Sequence, residues 1–86
     1  MAEKNIEVKN QRSEIKWTTN LAVAYAEGFG EGEDATFEEE IEAWSVLIQT
    51  GLCWSLQGWF GRTAHSMIEN NFISKEGEIN WDNLVD

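Results

Sequence analysis

The sequence has no proline, one cysteine, one histidine, and only six Lys and Arg against sixteen Asp and Glu. Each shortage closes off a class of protein. Without proline nothing fixes φ or removes a backbone donor inside a helix, so continuous helices are favoured and turns fall to Gly and Asn. The lone Cys53 excludes an internal disulfide and fits a reducing compartment. Set in an apolar run, it reads as a small buried hydrophobe. One His and one Cys fall short of the ligands a closed zinc site needs, so no metal and no cofactor are expected. A formal charge of −10 repels phosphate backbones, which argues against direct nucleic-acid binding. The opening MAEKNIEVKN has no apolar h-region, and the apolar runs are far shorter than a membrane span. The expectation is a soluble, intracellular protein with no membrane partner.

Aromatics are present in quantity: five Trp, four Phe and one Tyr in 86 residues. A chain of this size has room for one domain and buries only about 60–65% of its unfolded surface. Each buried aromatic removes roughly 150–250 Å² from water, so a few of them can build a small core. The charge is uneven. Residues 1–26 balance at +1, residues 27–42 carry eight acids and no base, and residues 43–86 balance at −3. The acidic stretch would suit a basic protein surface, including one that normally holds nucleic acid, although a solubilising charged face is the commoner meaning of such a run. Its candidate surface acids are Glu31, Glu33, Asp34, Glu38, Glu39 and Glu42.

The pattern predicts a mainly α, three-helix domain over 13–86, preceded by a polar, flexible arm over 1–12. The first helix is expected over 13–27, capped by Ser13, with Trp17, Leu21, Ala24 and Tyr25 on one face and Ala22 and Ala26 on a thin strip beside it. Gly28, Gly30 and Gly32 end it. The second helix, about 37–50, has the clearest start. Thr36 and Glu39 make a capping box, three Glu occupy the first turn, and Phe37, Ile41, Trp44, Leu47 and Ile48 form the apolar stripe. Gly51 suits its C′ position. The third helix is expected over 52–69, with Leu52, Leu56, Phe60, Thr63 and Met67 as core, giving a helix–helix hairpin with the second. Asn70 and Asn71 end it. A short C-terminal hairpin or loop then joins Phe72-Ile73 to Glu78-Ile79, and Asn80 caps a last turn carrying Trp81, Leu84 and Val85.

Beside the core stripe of the third helix, Trp54, Gly58, Gly61 and His65 recur at helical spacing. Two glycines inside a helix cost together roughly 2 kcal/mol against alanine, so something is expected to approach the backbone there. One reading is a crossing helix, the first, with its Ala22 and Ala26. The other is a partner docking in a groove floored by the glycines and walled by Trp54 and His65, with Gln57 and Arg62 on the same surface. Arg62 can alternatively pair with Glu69 or an acid of the second helix. His65 has no nucleophile placed beside it for acid–base work, since Ser66 points about 100° away and Cys53, twelve residues earlier, is off its face. The acidic loop does not follow the EF-hand order, and no phosphate loop is present. No enzyme activity is expected.

Residues 40–69 contain EIEAWSVLIQTGL, then Trp54-x-Leu56-Gln57-Gly58-Trp59-Phe60-Gly61-Arg62-Thr63-Ala64, then Met67-Ile68-Glu69. This block resembles a set of small phage-encoded proteins sharing a pattern close to LIxTGLxWxLQGxxGRxAxxLIE. The resemblance implies a viral source and an accessory role in the cytoplasm of an infected bacterium, and it carries no catalytic residues. The function expected is binding and modulation of a host protein, of inhibitor or anti-defence type, through Trp54, Gln57, Gly58, Gly61, Arg62 and His65. The alternatives are a self-assembling structural protein, packing as a homo-oligomer through the glycine face, and a small-molecule or nucleotide-sequestering protein.

Overall fold

The computed structural model describes residues 4–84. Its helices are α1 (Thr19–Glu27), α2 (Phe37–Thr50) and α3 (Gly58–Glu69), joined by short 3-10 turns at Gly30–Gly32 and Leu52–Trp54 and followed by another at Trp81–Leu84. The protein is mainly α, as the sequence pattern predicts.

The second helix is the centre of the fold. Its start follows from the capping box: the Thr36 side chain accepts from the Glu39 N–H at 3.1 Å, and Glu39 Oε1 accepts from the Thr36 N–H at 2.9 Å. It ends at Gly51, which takes the left-handed conformation (φ 78°) that a C′ glycine permits. From Ile41 to Ile48 every residue is buried, polar Glu42 and Ser45 included. An ordinary surface helix hides one stripe; this one is wrapped on all sides. Phe37, expected in the apolar stripe, stands at the first helical position and is 56% exposed.

Besides α3, whose Trp59 and Phe60 pack on Trp44, three layers do the wrapping. The first is α1, which packs along α2 with Ala22 fully buried. Gly32 locks the loop beyond it, because a Cβ there would fall on the Ala24 carbonyl and Tyr25 Cα. The second is the N-terminal segment. Expected as a flexible arm, its described part instead lies against the core: Val8 is buried, the Ile6 N–H donates to the Trp17 carbonyl at 2.7 Å, and Gln49 Nε2 donates to the Glu7 carbonyl at 2.8 Å. Residues 1–3 of that arm lie outside the described residues. The third layer is the C-terminal hairpin, where Ile73 and Ile79 pair antiparallel and are both buried. Ser45 Oγ donates to the Gly77 carbonyl, and Gly77 (φ 91°) leaves no room for a Cβ, which would meet Gln49 Cβ at 2.9 Å. Asn71 (φ 60°) ends α3 in the left-handed region, as expected. The Asn83 N–H bonds to the Asn80 carbonyl at 3.0 Å in the last turn; Val85, assigned to that turn, lies outside the described residues.

Two helix starts differ from expectation. Helix α1 begins at Thr19 and is capped by Thr18, whose hydroxyl accepts from the Leu21 N–H at 3.2 Å. Ser13 is engaged elsewhere, and Trp17, fully buried, precedes the helix in extended pairing with Ile6. The segment expected as one helix over 52–69 is a single 3-10 turn, Leu52–Trp54, a break at residues 55–57, and then α3. Gly58 is therefore the first residue of α3 and not an interior glycine. Most of the helix-propensity penalty assigned to it disappears.

Candidate functional site

The break at 55–57 shapes the surface that carries Trp54, Gly58, Gly61 and His65. Cys53 and Phe60 turn inward from either side of it and are buried, the latter beside Trp44 and Trp59 with ring centroids 5.8 and 4.0 Å away. Burial pushes the Cys53 thiol above its ordinary pKa, against the opposing effect of backbone N–H bonds. Trp54 is left pointing outward, 53% exposed. Gln57, Gly58, Arg62 and His65 are exposed, and Gly61 is half-buried.

The expected crossing of helix one over the glycines does not occur, because Ala22 and its neighbours pack on α2 instead. The atoms nearest a Cβ on Gly61 would be Trp54 Cε3 at 3.6 Å and the Cys53 carbonyl oxygen at 3.7 Å, ordinary van der Waals distances. At Gly58 the nearest atom is the Nη1 of Arg62, the far end of a flexible side chain, at 3.0 Å. Nothing within the fold therefore requires a glycine at 61. The pairing foreseen between Arg62 and Glu69 is also absent: His65 Nε2 takes Glu69 Oε1 at 2.8 Å, one helical turn along α3. Arg62 has no ion pair among the described residues, and Gln57 supplies no side-chain cap to α3.

The acidic candidates separate in a way the sequence does not announce. Glu31, Glu33, Asp34 and Glu38 are exposed, Glu38 holding Arg12 at 2.9 Å. Glu39 is partly buried in the capping box. Together with burial, the first cause, Glu39 and Glu31 raise the pKa of Tyr25. Glu42 is not a surface acid at all. It is fully buried, and four donors converge on its carboxylate: the Arg12 and Ser13 N–H groups, each 2.8 Å from Oε2, and Ser13 Oγ at 2.5 Å and Trp17 Nε1 at 3.0 Å from Oε1. A buried carboxylate is tolerated where hydrogen bonds replace its water. Glu42 thus fastens the N-terminal segment to α2, and Trp17, edge-on to Tyr25 with centroids 5.0 Å apart, fills the space beneath. The readable signal was an acid set inside the apolar run IEAWSVLI.

No buried side-chain N or O among the described residues lacks a partner, and no His, Cys, Asp and Glu group there could hold a metal. No helix of the described residues is long and apolar enough to cross a membrane. One concavity, about 740 Å³, lies beneath the C-terminal hairpin among Asn10, Asn71, Ser74 and Glu78, and neither Trp54 nor Arg62 lines it. A second, about 450 Å³ and more apolar, opens beside Phe37.

Fold and surface together define a small, mainly α-helical domain built round a buried central helix, with exposed aromatics on an acidic body. The chain belongs to the family described as domain of unknown function DUF7417, whose model matches residues 23–85. No curated protein and no solved structure matches it.

Proposed function

We propose that the protein is a small phage accessory protein that works by binding and modulating a host protein in the infected bacterium, and that it has no catalytic activity of its own. The observation that carries this is that a Cβ on Gly61 would meet only Trp54 and the Cys53 carbonyl, at ordinary van der Waals distances. An exposed Trp54, and an Arg62 and a Gln57 without side-chain partners among the described residues, surround a helix position where the fold would accept a side chain. Aromatic and Arg groups at the centre of a patch are the residue types that dominate protein–protein binding energies. The phage-like block 40–69 contains all of them, which supports the setting. Glu31, Glu33 and Asp34 remain exposed and would complement a basic partner surface.

The test is affinity capture from bacterial lysate with the wild type and a Trp54→Ala, Arg62→Ala double variant. A stoichiometric partner held by the first and released by the second supports the reading. Equal recovery by both, or none by either, removes it. Light scattering separates self-assembly, which would give an oligomer without any added partner.

A further inference from the structure

Among the exposed large hydrophobic residues Phe29, Phe37 and Trp54, Phe37 stands at the mouth of a cleft. Its walls come from the start of α2 (Phe37, Ile41), from α3 (Thr63, Met67) and from the C-terminal segment (Phe72, Leu84), and its volume is about 450 Å³. No Lys or Arg lines it. Arg12 lines a smaller concavity that shares Phe37 and Leu84 with it, where it is bound to Glu38 and stacked over the Trp81 ring with its Cζ 4.5 Å from the centroid. Glu40, in the same helical turn as Phe37, and Asp82, beside the lining residues Asn83 and Leu84, have no ion pair among the described residues.

An apolar cleft on a chain of net charge −10 selects its occupant. A second copy of this chain would bring another −10 charge to the contact, which disfavours self-association. An acidic peptide meets the same repulsion. We infer that the cleft beside Phe37 is a second binding surface, and that it takes a basic amphipathic segment of a partner protein, apolar anchors in the cleft and Lys or Arg toward Glu40 and Asp82. This is the helix-in-groove mode of recognition. The inference rests on the reading of the protein as one that binds a protein partner, and adds a surface and a partner chemistry to it.

The test uses the full chain, isotope-labelled, with a synthetic amphipathic helix of Leu and Lys at helical spacing and its Leu/Glu counterpart. The Leu/Lys peptide is expected to shift the amide resonances of Phe37, Ile41, Met67 and Leu84, and the Leu/Glu peptide to leave them in place. Raising salt from about 0.1 M to about 1 M shortens the Debye length from about 10 Å to about 3 Å and should weaken binding. Phe37→Ser is expected to lower affinity at least about tenfold, the size of effect an anchor residue gives, and Phe29→Ser, at an exposed aromatic outside the cleft, to leave it unchanged. Leu84→Ser is the second variant, with the same expected loss. Shifts mapping elsewhere, equal binding of the two peptides, indifference to both variants, or a Phe37-dependent dimer in light scattering would each overturn the inference. Host-protein capture that depends on Trp54 and Arg62 while the peptide fails leaves the broader reading standing. Peptide binding at the cleft with no host protein captured does the reverse.

Discussion

Two charged residues, Glu42 and Arg62, sit on opposite sides of the same problem. Both fall in the stretch of sequence richest in apolar and aromatic residues, and both read there as candidates for meeting a partner. Glu42 turns out to be fully buried, with four donors on its carboxylate. Arg62 is exposed and has no ion pair among the described residues. The difference teaches where this small domain commits its polar groups. Around Glu42 each bond ties a distant segment to α2, so the region belongs to the folding of the chain. Around Arg62 the polar groups and the glycines are left over once folding is complete.

The comparison can be broken by measurement. Glu42→Ala leaves the Trp17 indole and the 12–13 backbone without an acceptor, and should lower stability by about 3–5 kcal/mol in urea unfolding. Arg62→Ala, in the same assay, should stay within about 0.5 kcal/mol. Similar losses for both would erase the distinction. Gly32→Ala forces a Cβ into the backbone of α1, and a loss of about 2 kcal/mol is expected, visible as a lower Tm. Thr36→Ala removes the cap of α2 and should cost about 1 kcal/mol, read as an earlier thermal transition with the fold retained. Gly61→Ala sharpens the comparison from the other side. Because the added Cβ meets only van der Waals neighbours, the variant should gain about 0.5–1 kcal/mol while losing the captured partner. A destabilised Gly61→Ala would mean that the glycine serves the fold.

The smallest effect concerns Cys53. Its thiol pKa is raised in the folded chain, so its contribution to stability is complete below the ordinary thiol pKa and is lost as pH rises through the raised one. Urea midpoints should therefore fall on going from neutral to alkaline pH, and a Cys53→Ala variant should show less of that fall. An identical decline in the variant would assign it to other groups.

The second helix was legible because its signals are local. A capping box, three Glu in the first turn and a C′ glycine each act within one turn of chain, and all occur where expected. The first helix was legible in type but not in its start. Ser13 and Thr18 are both competent caps, and choosing between them needs the long-range partner, Glu42, that claims Ser13. The same blindness hid the break at 55–57. Apolar spacing continues through Leu52, Leu56 and Phe60 whether or not the backbone does, and periodicity cannot report a missing turn. Of the candidate surface, Trp54, Gln57 and Arg62 were readable as residues the core would not need. The cleft beside Phe37 was not, because α2, α3 and the last turn build it from positions far apart in sequence.

The bonds to Glu42 also bear on where this molecule may be divided. Sequence likeness to the family runs over residues 23–85, yet every donor on that carboxylate comes from Arg12, Ser13 or Trp17. A fragment cut at the edge of the likeness would keep α2 and the Trp54 surface, but it would take all four donors from the Glu42 carboxylate and remove the buried Val8 and Trp17 from the core. The stretch matched by the family is therefore shorter than the packed unit, which includes the N-terminal segment fastened to Glu42.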